Sequence, residues 1–240
     1  MNQPNRFNPS KDRVRSNYLE VSERIQAAAS RSGRLLNEIT MIAVTKYVDA
    51  TISRWLVELG CSTLAESRPQ MLWEKAAALS GLAVDCHLIG HLQRNKAKRT
   101  LPLVSTMHSL DSIRILEQIQ LDVVKRPHPL RLLLEMNVSG DREKTGMLVS
   151  EGEELLDSWQ SKSHVLPNLS IVGLMGMGSL FGGAEQARRD FAALRNLRDN
   201  WAGRFGMQLQ ELSMGMSDDF EAAIEEGATM VRIGSILFAN

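Results

Sequence analysis

Eight short apolar runs, separated by stretches of helical periodicity, limit what this chain can become more than any other feature. The runs fall at residues 39–45, 62–65, 85–89, 103–108, 130–138, 170–175, 211–214 and 230–233. Such lengths suit strands and fall short of buried helices. Between them, apolar residues recur at helical spacing over 50–59, 69–79, 93–100, 111–124, 150–161, 184–205 and 218–226. Strands that alternate with helices form βαβ units and hence a parallel sheet. Eight is the number at which such a sheet closes on itself. The expected fold is therefore α/β, a single (β/α)8 barrel of the TIM type. An extra helix precedes the first strand, with Ser10 as its cap and Val14, Tyr18, Val21, Ile25 and Ala28 along one face up to Gly33.

No mixed Pro, Gly and Ser linker divides the chain, so residues 10–240 are expected to form one domain. Residues 1–9, rich in Asn and Pro, read as a disordered lead-in. With 240 residues, 43% of them hydrophobic, there is ample material for one large core. The 28 basic and 28 acidic side chains give a formal net charge of +0, which argues against nucleic acid or anionic membrane as a partner. No run approaches the ~20 residues of a membrane helix. The N-terminus lacks the apolar segment of a signal peptide. Cys61 and Cys86 have no metal-ligand spacing and suit a reducing compartment. The expectation is a soluble cytoplasmic protein with no metal site.

The chemistry concentrates at the ends of the strands. Ser213-Met214-Gly215-Met216-Ser217-Asp218-Asp219 leads into a short helical pattern, followed by Met230-Val231-Arg232-Ile233-Gly234-Ser235. Asp218 and Glu221 have capping-box spacing, and Gly227 sits where the helix should stop. In the strand count these turns follow the seventh and eighth strands, where barrels often bind phosphate. The hydroxyls of Ser217 and Ser235 and nearby backbone N–H groups would form the cradle; plain turn glycines and a helix cap are the simpler alternative. Lys46 ends the first run, where a barrel delivers side chains to its active face. A partly desolvated amine there would attack a carbonyl, whereas a surface lysine in an ordinary loop is the bland reading. Arg232 alternates with Val231 and Ile233 and so points into the barrel. Its buried guanidinium needs an acceptor, either a ligand's ring nitrogen or an ion-pair partner such as Glu66 or Asp219. His87 lines a pocket or serves as a satisfied core residue. Arg94, Lys96, Lys98 and Arg99 attract anions or form a solvated helix face. Dinucleotide, Walker, nucleophile-elbow and zinc signatures are absent.

Taken in order, Val44-Thr45-Lys46, His87-x-Ile89-Gly90-x-Leu92-Gln93-x-Asn95-Lys96, Gly173-Leu174-Met175, Ser213 through Asp219 and Val231-Arg232-Ile233-Gly234 resemble the pyridoxal phosphate homeostasis proteins, from about Ile39 to Phe238. The resemblance implies a barrel like the N-terminal domain of alanine racemase, standing as a single domain. It implies pyridoxal 5′-phosphate held as an aldimine on Lys46. Phosphate contacts come from Ser217, Gly234 and Ser235, with Met216 in the same turn, and Arg232 faces the pyridine nitrogen. His87 and Ser67 complete the implied cofactor set. Such proteins buffer or deliver the cofactor with no established catalysis, so no catalytic residue is assigned. The implied partners are the cofactor and apo-enzymes that depend on it, and the implied state is a monomer. One departure stands out: Leu64-Ala65-Glu66-Ser67 replaces the usual Phe-Gly-Glu-Asn, and the shorter Ser67 is expected to modify binding without abolishing it.

The alternative is a racemase-like enzyme using the same cofactor. Racemisation needs an acid or base on each face of the cofactor. In alanine racemase a tyrosine from a second domain supplies one. Here the only tyrosines are Tyr18 and Tyr47, and no second domain is expected before Asn240, which favours the carrier.

Overall fold

The eight runs form eight parallel strands: β1 (Thr40–Val44), β2 (Thr63–Glu66), β3 (Asp85–Leu88), β4 (Thr106–Leu110), β5 (Leu130–Glu135), β6 (Leu169–Met175), β7 (Glu211–Ser213) and β8 (Met230–Ile233). They pair in chain order and close through β8 against β1. This computed structural model describes residues 6–123, 126–139, 145–162, 166–179 and 183–240. Around the barrel lie α1 (Lys11–Arg31), α2 (Ala50–Glu58), α3 (Pro69–Ala78), α4 (Arg94–Thr100), α5 (Ile113–Asp122), α6 (Val149–Lys162), α7 (Gly183–Phe205), α8 (Phe220–Glu225) and the single turn α9 (Ser235–Phe238). The expected α/β barrel with an extra N-terminal helix is therefore present.

Local chemistry sets the boundaries. Ser10 Oγ accepts the Arg13 N–H at 3.2 Å, and Asp49 Oδ1 accepts the Ile52 N–H at 2.9 Å, so α1 and α2 each start on a side-chain cap. Pro69 opens α3, where a missing N–H costs nothing. The fourth strand starts later than its apolar run because Leu101–Leu103, with Pro102 inside, winds into a 3-10 turn. At α8 the anticipated capping box does not form. Asp219, not Asp218, occupies the cap position, and its carboxylate turns back to accept the Met216 N–H at 2.6 Å. Glu221 instead pairs with Arg24 on α1. Gly227 does end the helix, with φ +100° and Ala228 N–H reaching back to Ala223 O.

Residues 1–5 lie outside the described residues, but residues 6–9 pack on the barrel. Arg6 N–H donates to Tyr47 O at 3.1 Å, Phe7 lies 6.3 Å from the rings of Tyr47 and Phe238, and Pro9 is buried.

Alternation along each strand divides the buried residues into two layers. Ala43, Leu64, Leu88, Met107, Leu132, Leu212 and Val231 belong to the main core beneath the helices. Ile42, Val44, Ala65 and Met230, with Ile89, form a separate small cluster inside the barrel. Much of the remaining interior is polar: His87, Thr106, His108, Glu135, Ser213 and Arg232 are all buried. Among the described residues no helix is long and apolar enough to cross a membrane, and no group of three or more His, Cys, Asp or Glu side chains could hold a metal. Cys61 and Cys86 are free thiols, each pushed up to about 11, chiefly by burial.

Candidate functional site

The C-terminal ends of β1 and β8 border a cavity of about 300 Å³, at the small end of the ~300–1,000 Å³ usual for ligand sites. β1 brings Val44 to its wall, followed by Lys46 and Tyr47. The loop between β7 and α8 brings Met216, Ser217 and Asp218, and β8 brings Arg232 and then Gly234 and Ser235. Ile89 and Arg6 complete the lining.

Two turns are tied together at this rim. Gly215 has φ +87°, and a Cβ there would come within 2.5 Å of the Ala223 methyl, so only glycine fits. Its carbonyl accepts the Arg232 N–H at 3.0 Å, which fixes the turn to β8. The buried Ser217 Oγ accepts the Gly234 N–H at 3.3 Å. A hydroxyl from one loop and a backbone N–H from the other thus meet at the rim, the kind of group that phosphate binding uses. Lys46 is exposed and its Nζ lies 5.0 Å from the centre of the Tyr47 ring. The desolvation expected for this amine is not found.

Arg232 is buried, as alternation predicts. Its Nη1 donates to Ser213 Oγ at 2.8 Å and its Nη2 to Gly176 O at 3.0 Å. Burial draws the guanidinium down to about 10, with the charges of Asp219 and Glu135 working the other way. No ion pair to Glu66 or Asp219 forms. Glu66 faces outward from the barrel, where Lys75 of α3 binds its Oε1 and Thr45 Oγ1 donates to the same oxygen at 2.6 Å. Lys75 Nζ also donates to Thr45 O at 2.6 Å, directly before Lys46. Burial holds the Lys75 amine below its ordinary value, with Glu66 opposing.

Of the eight residues expected to bind cofactor, Lys46, Met216, Ser217, Arg232, Gly234 and Ser235 share the cavity, while Ser67 and His87 do not line it. Ser67 lines a neighbouring open depression with Arg68, His91 and Lys96. Gly90 packs so closely on the Ser67 carbonyl that a Cβ would approach to 2.1 Å. His87 is buried in the barrel interior, bonded to His108 and Asp85. Arg6 and Tyr47 are cavity residues that sequence reasoning missed; Phe7, an aromatic in an otherwise polar lead-in, was the available signal.

An open amine, a two-loop anion cradle and a buried guanidinium, around the apolar side chains of Val44, Ile89 and Met216, suit a flat carbonyl compound that carries a phosphate.

Residues 12–240 match the family model of the alanine racemase N-terminal domain. The pyridoxal phosphate homeostasis protein of Aquifex aeolicus is 38% identical over 220 residues, covering 92% of this chain and 95% of its own. That of Pseudomonas aeruginosa is 33% identical over 225 residues, with 94% of each chain covered. PipY of Synechococcus elongatus, solved with PLP bound, superposes with a TM-score of 0.77 at 28% identity, over 91% of this chain and 100% of that one. The chain belongs to the pyridoxal phosphate homeostasis proteins, within the family of the alanine racemase N-terminal domain.

Proposed function

We propose that this protein binds pyridoxal 5′-phosphate at Lys46 and acts in cofactor homeostasis, as a carrier or buffer that turns over no substrate. The observation that carries this reading is the single cavity in which Lys46, Ser217, Gly234, Ser235 and Arg232 meet. When bound, the cofactor supplies a reactive aldehyde. Lys46 supplies the amine, and its exposure leaves the approach open. Ser217, Gly234 and Ser235 hold the phosphate, Met216 borders it, and Arg232 presents N–H donors toward the ring nitrogen. Lys75 and Glu66 brace the end of β1 and so fix where Lys46 begins.

Exposure of Lys46 also suits exchange, because a carrier must release what it holds. The recipients in this reading are apo-enzymes that need the cofactor, and the protein works as a cytoplasmic monomer. A racemase-like reaction requires proton-transfer groups on both faces of the substrate. Among the described residues, the titratable side chains lining the cavity besides Lys46 and the two arginines are Tyr47 and Asp218, and the Tyr47 ring packs against Lys46 itself.

The test loads the protein with pyridoxal 5′-phosphate and offers it, in separate reactions, an apo-enzyme and a panel of amino acids in D2O. The reading expects the apo-enzyme to gain activity and the amino acids to keep their α-hydrogen. Deuterium incorporation that disappears in Lys46→Ala would make the protein an enzyme.

A further inference from the structure

A hydrogen-bonded chain of side chains crosses the inside of the barrel. It begins at Asp85, at the N-terminal end of β3, whose side chain is 46% exposed. Asp85 Oδ2 lies 3.1 Å from His87 Nε2, and His87 Nδ1 lies 2.9 Å from His108 Nε2. His108 Nδ1 is 2.8 Å from Ser213 Oγ, which accepts from Arg232 Nη1 at 2.8 Å. The far end, Arg232, lines the cavity.

The two ends fix the direction of every proton. A guanidinium can only donate and a carboxylate can only accept. Since Ser213 Oγ accepts from Arg232, its own proton goes to His108 Nδ1, its other partner among the described residues. His108 then carries its proton on Nε2 and donates to His87 Nδ1. His87 in turn carries its proton on Nε2 and donates to Asp85. The reverse direction needs a protonated Asp85 and leaves the Ser213 hydroxyl proton without an acceptor. An imidazolium at position 87 leaves the same proton stranded, because His108 must then donate to Ser213. Surroundings agree: burial opposes it, yet hydrogen bonds from His87 and Ser105 and the charge of Arg131 favour an ionised Asp85 carboxyl. Burial above all, with the charges of Arg232 and Arg131 nearby, keeps His108 from charging.

We infer that Asp85, His87, His108 and Ser213 are positioning residues for Arg232, a one-way chain with both imidazoles neutral and protonated on Nε2. The chain holds the guanidinium as a fixed donor at the cavity wall. It also couples a partly exposed carboxylate on one end of the barrel to the ligand site on the other. The effect on cofactor binding rests on the function proposed above; the proton arrangement does not.

Two measurements test the inference. The first is 15N NMR of the histidine side chains at pH 7, on unmodified protein without cofactor, assigned through His87→Gln and His108→Gln. The expected result is an unprotonated Nδ1 and a protonated Nε2 on both rings. An Nδ1–H tautomer or an imidazolium at either position overturns the chain. The second compares Ser213→Ala and Asp85→Ala with the parent for pyridoxal 5′-phosphate affinity and absorbance. Ser213→Ala should weaken binding roughly fivefold, as expected for one lost hydrogen bond, and shift the cofactor band. Asp85→Ala should shift the band the same way by less. Parent-like affinity and spectrum in Ser213→Ala overturn the positioning role. A parent protein that binds no cofactor sinks the proposed function, while the tautomers still decide the chain.

Discussion

Two lysines meet the end of β1 and live in opposite surroundings. Lys75 is 5% exposed, and its ammonium is committed to Thr45 O and Glu66 Oε1. Lys46 is exposed, and its Nζ makes no hydrogen bond or ion pair with another described residue, only the approach to the Tyr47 ring. Perturbed titration is a common sign of a functional group, and by that sign alone Lys75 would be chosen. Its geometry says otherwise: a buried amine already bonded to a carbonyl and a carboxylate has no room for a carbonyl compound. Availability marks the reactive lysine, and burial marks the strut that holds its loop.

The largest effect that could break this comparison is on stability. Lys75→Ala strands the Glu66 carboxylate, whose Oε2 has no partner among the described residues, and should cost about 3–5 kcal/mol in urea unfolding. Replacing both partners by Lys75→Met and Glu66→Gln should restore most of that loss. Lys46→Ala, at an exposed position, should stay within about 0.5 kcal/mol of the parent. A costly Lys46→Ala with a harmless Lys75→Ala would invert the two roles.

The next effect concerns pH and the polar barrel interior. Burial, aided by nearby positive groups, pushes His108 well below 6.5, the value it has when exposed. Below about pH 6.5 the unfolded chain therefore binds a proton that the folded chain refuses. Stability should fall as pH drops through that range, by roughly 1 kcal/mol per pH unit, and level off above it. Urea midpoints of the parent and of His108→Gln at pH 7.5, 6.5 and 5.5 isolate this, and a parent that loses no more stability on acidification than the variant would contradict it.

A smaller effect belongs to the rim. Ser217→Ala removes the acceptor for the Gly234 N–H and one proposed phosphate contact. It should weaken pyridoxal 5′-phosphate roughly tenfold while changing stability by at most about 1 kcal/mol. The smallest is kinetic. With thiols near 11, the buried Cys61 and the half-buried Cys86 should react slowly with a disulfide reagent at pH 8 until the protein is unfolded, and rapid labelling of both in the native protein would contradict this.

What could be read in advance follows from what each pattern encodes. β8 matches its apolar run from Met230 to Ile233 because a turn signal bounds it at Gly234. The fourth run misleads at its start, since Leu103 closes a 3-10 turn and is exposed there, so its apolarity marks neither burial nor extension. Lys46, Ser217, Gly234 and Ser235 were legible because each follows a strand, and Arg232 because alternation turns it inward. Ser67 also follows a strand, yet its loop turns toward the depression beside α3, a direction that only the assembled barrel decides. The histidine chain needs the register of β3, β4, β7 and β8 together, which periodicity cannot supply. The Lys75–Glu66 pair left one trace: a charged residue on the buried stripe of Leu72 and Leu79, which demands a partner.

The central claim, that Lys46 and no other lysine takes the cofactor, is best tested by borohydride. The protein is mixed with pyridoxal 5′-phosphate, reduced, digested and mapped by mass spectrometry. The account predicts one modified peptide, containing Lys46, and none containing Lys75. Label on Lys75, label scattered over surface lysines, or no label at all would contradict it.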